Sequence, residues 1–342
     1  MKRVLVLAAA LSVSALASAS AEPRAALVLG EGLREPFGVD VDSGGRIYIV
    51  EMAGNRITVV EPGGGARVLA GTGEKGLAGD DGPATQAQFN GPHHLLFGPD
   101  GLLYVADTFN NSVRRIDTRT GIITRMAGTG EKGFSGDGGP ARDARFGGIY
   151  SIAFRGQVLY VCDLDNRRIR AVDLQTGIVT TVAGNGDKGV PSDGADARTQ
   201  PLVDPRAIAL DAAGNLYICE RGGHALRVVD AEGRIRTVAG TGQAGYSGDG
   251  GPAPAAQLNG PKHIAVDADG SVLITDTENH AIRRYSPRDG TITRVAGSGL
   301  RGAAGLGGPA ATIELNRPHG AIRHGQVIYV SDSENHRVLA IE

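Results

Sequence analysis

One short segment recurs six times along the chain at a nearly constant spacing, and this regularity constrains the fold more than any other feature. In the copy YVADTFNNSVRRID, which starts at Tyr104, two runs rich in apolar and β-branched residues flank a polar turn. The copies start at residues 48, 104, 160, 217, 273 and 329, so the period is 56 or 57 residues. Such a period predicts one structural unit that is repeated six times.

Each unit is predicted to contain four antiparallel strands. In the unit spanning residues 91–130, GPHHLLFGPDG predicts a short strand and a Pro-Asp-Gly turn. The two strands of the recurring segment follow, and Ile122 to Ala127 form the fourth strand. The connections are too short for the helical crossovers of a parallel sheet. We therefore predict an all-β fold, a six-bladed β-propeller of four-stranded antiparallel blades.

The two ends of the chain are predicted to meet in the last blade. The final copy stops at Glu342 after only three strands, whereas RAALVLG at residues 24–30 precedes the first unit as RVLAG precedes the second. Residues 25–30 should therefore form the outer strand of the last blade and close the ring. Residues 22–342 then form a single domain.

The first 21 residues have the pattern of a secretory signal peptide. Lys2 and Arg3 precede an apolar stretch that ends in Ala-Ser-Ala, which predicts cleavage after Ala21 and a secreted or periplasmic protein. No later segment has the roughly 18 apolar residues of a spanning helix. The 35 basic and 37 acidic residues are interspersed without a basic stripe, so a nucleic acid partner is not expected. We expect a monomer.

Three repeated polar features have a structural interpretation. Cys162 and Cys219 occupy equivalent positions in adjacent blades, which should be too far apart for a disulfide, so we predict buried free thiols. A disulfide is the alternative that an oxidising compartment would allow. An acidic residue ends every second strand, and its sixfold repetition favours hydrogen bonds to turns or pairing with arginine. Glycine-rich loops join the blades, and their recurring aspartates are predicted to bond their own loop backbone rather than calcium. The loop aspartates are Asp81, Asp137, Asp193 and Asp249.

Most aligned positions hold chemically similar residues in all six units, but two do not. The six residues at each of these two positions are called a column. They follow the proline that opens each inner strand, and strand directions place them around the axis on one face, here called the top mouth. Polar groups converging on one concave spot are typical of ligand sites. The first column is Phe37, His93, Ile149, Arg206, Lys262 and His319, and the second is Gly38, His94, Tyr150, Ala207, His263 and Gly320.

The repeated motifs resemble those of the NHL-repeat β-propeller family. The shared pattern is Pro-x-x-hydrophobic, then Gly-x-hydrophobic-Tyr-Val-x-Asp, then Asn-x-x-Ile-Arg, and it covers residues 26 to 342. The resemblance implies a six-bladed propeller. The family contains both binding proteins and enzymes, so function must be argued from the site.

The dipeptides Pro92-His93 and Pro318-His319 also resemble the NHL-type peptide-amidating lyases, whose axial histidines hold zinc. This resemblance implies that His93 and His319 are metal ligands, that Tyr150 is a base and that Arg206 acts beside the metal. The third histidine of that family is replaced by Arg206, so His263 or His94 would have to complete a zinc-like site. The implied cofactor is one divalent metal ion.

Three functions follow from these residues. The first is binding of a small anionic ligand or a peptide at the top mouth, with His94, Lys262 and His263 as ligand-binding residues beside Arg206. The second is a metal-dependent lyase or hydrolase that uses the axial histidines. The third is a scaffold that binds a protein partner through the glycine-loop rim, where Phe134 and Tyr246 project from equivalent positions.

Overall fold

A computed structural model of the protein describes residues 22–342 and contains six antiparallel sheets, numbered here as blades 1 to 6. The predicted signal peptide at residues 1–21 lies outside the described residues. Blade 1 comprises Pro36–Val41, Ile47–Glu51, Arg56–Val60 and Ala66–Ala70. Blade 2 comprises His94–Phe97, Leu103–Asp107, Ser112–Asp117 and Ile122–Ala127. Blade 3 comprises Ile149–Arg155, Val158–Asp163, Arg168–Asp173 and Val179–Ala183. Blade 4 comprises Pro205–Leu210, Leu216–Glu220, Ala225–Val229 and Arg234–Ala239. Blade 5 comprises His263–Val266, Val272–Asp276, Ala281–Ser286 and Thr291–Ala296. Blade 6 comprises Gly320–His324, Val327–Asp332 and Arg337–Ile341, with Ala25–Leu29 as its fourth strand.

The first strand of each blade is its inner strand, which contacts the inner strands of both neighbouring blades around the axis. A short strand of two residues extends the outer edge of blades 2 and 4. These strands are Gly82–Pro83 and Ala195–Asp196, and each pairs with the fourth strand of its blade. The predicted six-bladed propeller of four-stranded blades is confirmed.

Blade 6 takes its outer strand from the beginning of the described chain. Ala25–Leu29 pairs antiparallel with Arg337–Ile341, so that Ala25 lies opposite Ile341. The backbones of Arg24 and Glu342 exchange two N–H···O bonds of 2.7 and 3.0 Å. This pairing joins the two ends in one sheet and leaves no gap in the ring at blade 6.

The core lies between the blades and is mainly aliphatic, with aromatic rings from the glycine loops at two junctions. Phe89 and Phe146 are fully buried there, against Leu95 and Leu103 in one junction and Leu159 in another. Since both faces of each blade are covered, the second strands are apolar over most of their length.

The glycine loops fold back under tight steric limits. At Gly71, where φ is +94°, an added Cβ would lie 2.5 Å from the carbonyl oxygen of Asn55, so only glycine fits. Each loop ends in a single 3₁₀ turn, and three hairpins contain another. The 3₁₀ turns are Ala84–Gln86, Thr108–Asn110, Ala141–Asp143, Ala197–Thr199, Ala253–Ala255, Thr277–Asn279, Ala310–Thr312 and Ser333–Asn335.

The acidic residue that ends each second strand has the same structural role in all six blades. Each carboxylate accepts a backbone N–H from the segment that enters its own blade, as Asp107 does from Asn90 at 2.9 Å. Each also pairs with an arginine of the third strand. The pairs are Glu51–Arg56, Asp107–Arg114, Asp163–Arg170, Glu220–Arg227, Asp276–Arg283 and Asp332–Arg337.

The loop aspartates differ from the prediction. Asp137 and Asp249 reach the buried arginines Arg170 and Arg283 of the following blade at 2.7 and 2.9 Å, instead of bonding their own loops. In the loop before blade 2, the equivalent contact to Arg114 comes from Asp80 rather than Asp81. In these three blades the second carboxylate adds an acceptor to a guanidinium that is fully buried.

Both cysteines are buried and unpaired in blades 3 and 4. The Sγ of Cys162 donates to the carbonyl oxygen of Pro205 at 3.1 Å, across the junction between these blades. Among residues 22–342, no helix is long and apolar enough to cross a membrane.

Candidate ligand site at the axial mouth

Two inner strands have β-bulges where they carry residues of the mouth. The pairing register of blade 3 shifts between Ile149 and Ser151, and that of blade 4 shifts between Pro205 and Ala207. Tyr150 and Arg206 therefore stand outside the regular pairing. Such bulges redirect a side chain that would otherwise alternate with the pleat.

Arg206 is stacked on Tyr150 and has no acceptor for its buried nitrogen. Its guanidinium carbon lies 4.2 Å from the Tyr150 ring centroid, and the residue is only 5% exposed. Within residues 22–342, its Nε has no hydrogen-bond partner. Burial lowers the pKa of Arg206 to about 10, so the side chain is still a cation at neutral pH. The other buried arginines, by contrast, all have carboxylate partners: Arg114, Arg170, Arg227, Arg283 and Arg337.

Aromatic rings fill the axis beside this cation. Phe37 stacks on His319 with ring centroids 3.9 Å apart, and it meets His93 edge-on at 4.8 Å. The other side of His93 contacts Tyr150 at 4.6 Å. Phe37, His93, His319 and Tyr150 thus pack together at the mouth, and Tyr150 and His319 keep partial exposure there.

His93 and His319 share one tautomer because each Nδ1 lies next to a backbone carbonyl. The distances are 2.7 Å to the oxygen of Gly91 and 2.8 Å to that of Arg317. A carbonyl can only accept, so each Nδ1 carries the proton and each Nε2 keeps its lone pair. The Nε2 of His319 lies 3.3 Å from the Nζ of Lys262, which also pairs with Glu278 at 2.9 Å. Burial lowers the pKa of Lys262 to about 8.

His94 and His263 adopt the opposite tautomer one layer below. The Nδ1 of His94 accepts the backbone N–H of Ile152 at 3.2 Å, and the Nδ1 of His263 accepts that of Ala321 at 3.4 Å. Their protons are therefore on Nε2, and the two Nε2 atoms face each other across 3.2 Å. Two N–H groups that face each other this closely repel, and an acceptor atom beside both would relieve the repulsion.

The residues fit a three-histidine metal centre only in part. His93 and His319 have the tautomer of metal ligands, since a carbonyl holds Nδ1–H and leaves Nε2 available. His263 and His94 do not, because their Nδ1 atoms already accept backbone N–H groups. Throughout residues 22–342, no group of three or more His, Cys, Asp or Glu side chains is arranged to hold a metal. The predicted ligand set His93, His319 and His263 stays a prediction.

The predicted catalytic pair is close together, although its electrostatics favour binding over base catalysis. Burial raises the pKa of the Tyr150 hydroxyl above its ordinary value, despite the opposing charge of Arg206. A general base needs a pKa near the working pH. Tyr150 is therefore a hydrogen-bonding group at neutral pH rather than a phenolate.

A second space below the histidine pair was not predicted from the sequence. It has a volume of about 210 Å³ and is lined by apolar residues of the inner strands. His94 and His263 separate it from the mouth, and Asp40 lies at its wall with both carboxylate oxygens accepting backbone N–H groups. The aliphatic second halves of the inner strands are its sequence signal, because small aliphatic side chains do not fill the axis.

The rim aromatics cover arginines instead of forming an apolar patch. Phe134 lies 3.9 Å from the guanidinium carbon of Arg168, and Tyr246 lies 5.2 Å from that of Arg283. These cation–π contacts use one face of each ring.

A family model supports the assignment that fold and motifs suggest. The model described as NHL repeat matches residues 258–285, which span the inner strand and first hairpin of blade 5. Together with the six similar units in one ring, this match supports an NHL-repeat propeller family.

Two curated relatives and one solved structure show how far the similarity extends. The chain is 28% identical over 80% of its length to Protein SUPPRESSOR OF QUENCHING 1, chloroplastic, of Arabidopsis thaliana, and covers 27% of that protein. It is 25% identical over 90% of its length to NHL repeat-containing protein 2 of Gallus gallus, and covers 46% of it. The chain thus spans less than half the length of these relatives. The structure of an auxiliary nutrient binding protein from Bacteroides ovatus superposes with a TM-score of 0.66 at 17% sequence identity. The superposition covers 94% of this chain and 76% of that protein's chain.

Proposed function

We propose that this protein is a secreted or periplasmic propeller that binds a small anionic ligand, or the C-terminus of a peptide, at the top mouth. The observation that carries the proposal is the buried Arg206 cation, which lacks the carboxylate that accompanies the other buried arginines. A desolvated guanidinium without an acceptor is costly. A ligand carboxylate would supply the missing charge and hydrogen bonds in the bidentate geometry that arginine favours.

The neighbouring groups are complementary to the same chemistry. Lys262 is mostly protonated at neutral pH, because its pKa of about 8 lies above 7. The Tyr150 hydroxyl and the Nε2–H groups of His94 and His263 add neutral donors. An oxygen-rich anion therefore suits this set better than a cation or an apolar molecule.

Calorimetric titration of the purified protein against small carboxylates tests the proposal. Arg206→Gln should weaken the tightest carboxylate by about 1.5–3 kcal/mol, the value of a hydrogen bond to a charged group. Arg288→Gln, at a distant arginine near the 289–291 turn, is the matched control and should bind as the parent does. Equal binding by the Arg206 variant and the parent would refute the proposal.

A metal-dependent lyase or hydrolase is the second candidate, and the tautomers of His93 and His319 favour it. Elemental analysis of protein purified without chelators should then find one divalent metal per chain. The double change His93→Ala and His319→Ala should remove that metal. If the parent protein contains none after incubation with zinc, this candidate fails and the anion site is unaffected.

A further inference from the structure

Five of the six junctions between blades are joined by the same hydrogen bond. The acceptor is the side chain of a turn residue that has a left-handed backbone. The donor is the backbone N–H of a residue just before the next inner strand, and this donor residue also has a positive φ at all five junctions. The donor–acceptor pairs, 2.9–3.2 Å long, are Gly91–Asn55, Gly148–Asn111, Gly260–His224, Arg317–His280 and Glu35–His336.

The junction between blades 3 and 4 is built differently. Its turn residue is Arg167, which has no acceptor atom in its side chain. The residue that precedes the next inner strand, Asp204, does not have a positive φ. A second type of link, in which Thr108, Thr277 and Ser333 donate to the next blade's backbone, joins three junctions. It is missing here, where Leu164 occupies this position, as it is at the equivalent residues Met52 and Arg221.

A pocket of about 300 Å³ lies at this junction on the face of the mouth. Three cations line it, and the two lining carboxylates already have partners: Asp165 pairs with Lys132 at 2.7 Å, and Asp204 pairs with Arg221 at 2.8 Å. Of the cations, Arg167 and Lys188 take part in none of the ion pairs found among residues 22–342. The lining residues are Leu164, Asp165, Arg167, Lys188, Val203, Asp204, Arg221 and Gly222.

The pocket is next to the mouth. A Cβ added at Gly148 would lie 3.0 Å from the ring of Tyr150 and 3.5 Å from the carboxylate of Asp165, so the mouth and the pocket wall meet at this glycine. On the blade 4 side, Asp204 precedes Arg206 by two residues. Tyr150, which covers Arg206, is therefore the mouth residue nearest to the pocket wall.

We propose that this pocket binds a second carboxylate of the ligand whose first carboxylate is held by Arg206, so that the ligand is an elongated small dicarboxylate. The proposal rests on the proposed anion-binding function and narrows its ligand class. Arg167 occupies the position where the other blades keep a joining acceptor, and its cation faces a pocket that contains no free carboxylate. A ligand carboxylate there would pair with Arg167 and Lys188, while the other end reaches Arg206.

Calorimetry with matched probes tests the second site. The probes are straight-chain α,ω-dicarboxylates from succinate to suberate, each compared with its own monoamide, which retains one carboxylate and the same length. The parent protein should bind at least one dicarboxylate about tenfold more tightly than its monoamide. Arg167→Asn, which restores the residue found in blades 1 and 2, should remove this preference and leave monoamide binding unchanged.

Two further variants separate the possible failures. Lys188→Gln, at an exposed position, should reduce the preference independently of Arg167→Asn. His224→Asn, at the equivalent turn of blade 4, is the control and should leave it intact. A parent protein without the preference, or a preference that survives in the double variant Arg167→Asn, Lys188→Gln, overturns the second site alone. Failure of every probe to bind, or binding that ignores Arg206→Gln, overturns the proposed function as well.

Discussion

The guanidinium of Arg206 lies over the ring of Tyr150, with 4.2 Å between its central carbon and the ring centroid, and both residues stand at breaks in their strand ladders. The two bulges belong to adjacent blades, so the contact forms across a blade junction. Since Arg206 is buried without a carboxylate, the electron-rich face of Tyr150 is the main group that compensates its charge.

A double-mutant cycle should show this compensation. We expect Tyr150→Leu and Arg206→Met to be coupled by about 1–2 kcal/mol in the free energy of unfolding, the value of a desolvated cation–π contact. Urea denaturation of the parent, both single variants and the double variant measures it. Tyr150→Phe is the control, because it keeps the ring face. A coupling near zero would mean that the cation is stabilised by other groups.

The ring closure gives a second prediction. Deletion of residues 22–30 should strongly destabilise the fold, because it removes the outer strand of blade 6 and leaves Arg337–Ile341 as an unpaired edge. Thermal unfolding followed by circular dichroism measures the change. Deletion of Glu22 alone is the control. A truncated protein that melts with the parent would show that the strand pairing contributes nothing to stability.

The sequence predicted the architecture well because the repeat period reports on blade geometry six times over. It also predicted that the acidic ring is structural, and the pairs with Arg114 and its equivalents show this. The sequence predicted the individual contacts at the mouth less well. The columns showed that His94 and His263 are near the axis, but their tautomers depend on backbone N–H groups of the next blade, such as that of Ile152. Such inter-blade contacts leave no pattern within one repeat.

The exception at Arg167 shows that aligned repeats carry information about the junctions between blades as well as about the blade fold. Aligned turn positions hold Asn or His in five blades and Arg167 in the sixth. Only the bonds from the following junction show that the other five residues are acceptors. The physical criterion that finds the exception is acceptor capacity, which arginine lacks.

Thiol chemistry provides a third prediction. Cys162 and Cys219 are fully buried, and burial raises the pKa of both thiols. Since the thiolate is the reactive species, neither should be alkylated in the native protein at pH 8. Denaturation without a reducing agent should then expose two reactive thiols per chain, counted with a chromogenic disulfide reagent. A count of zero would indicate a disulfide.

The last prediction concerns the pH dependence of stability. Burial lowers the pKa of His94 to about 4, and it lowers the pKa values of His93, His263 and His319 well below 6.5. A histidine whose folded pKa is depressed takes up a proton on unfolding. Its contribution to stability is therefore complete above the unfolded value near 6.5 and is lost as the pH falls toward 4. For His94 the loss amounts to about 3 kcal/mol at most, at 1.36 kcal/mol per pKa unit.

Buried carboxylates act in the opposite direction, so the histidine effect must be measured by difference. Burial raises the pKa of Asp107 to about 7 and that of Asp276 to about 6, and these groups favour the folded state as the pH falls. Both remain in His94→Gln, so their effect cancels when this variant is compared with the parent. The parent's free energy of unfolding, relative to that of the variant, should fall steadily between pH 6.5 and 4. His324→Gln, at an exposed position outside the mouth, is the control. A difference between parent and His94→Gln that does not change with pH would show that His94 is accessible to protons in the folded protein, and that the Nδ1 bond to Ile152 does not hold its tautomer.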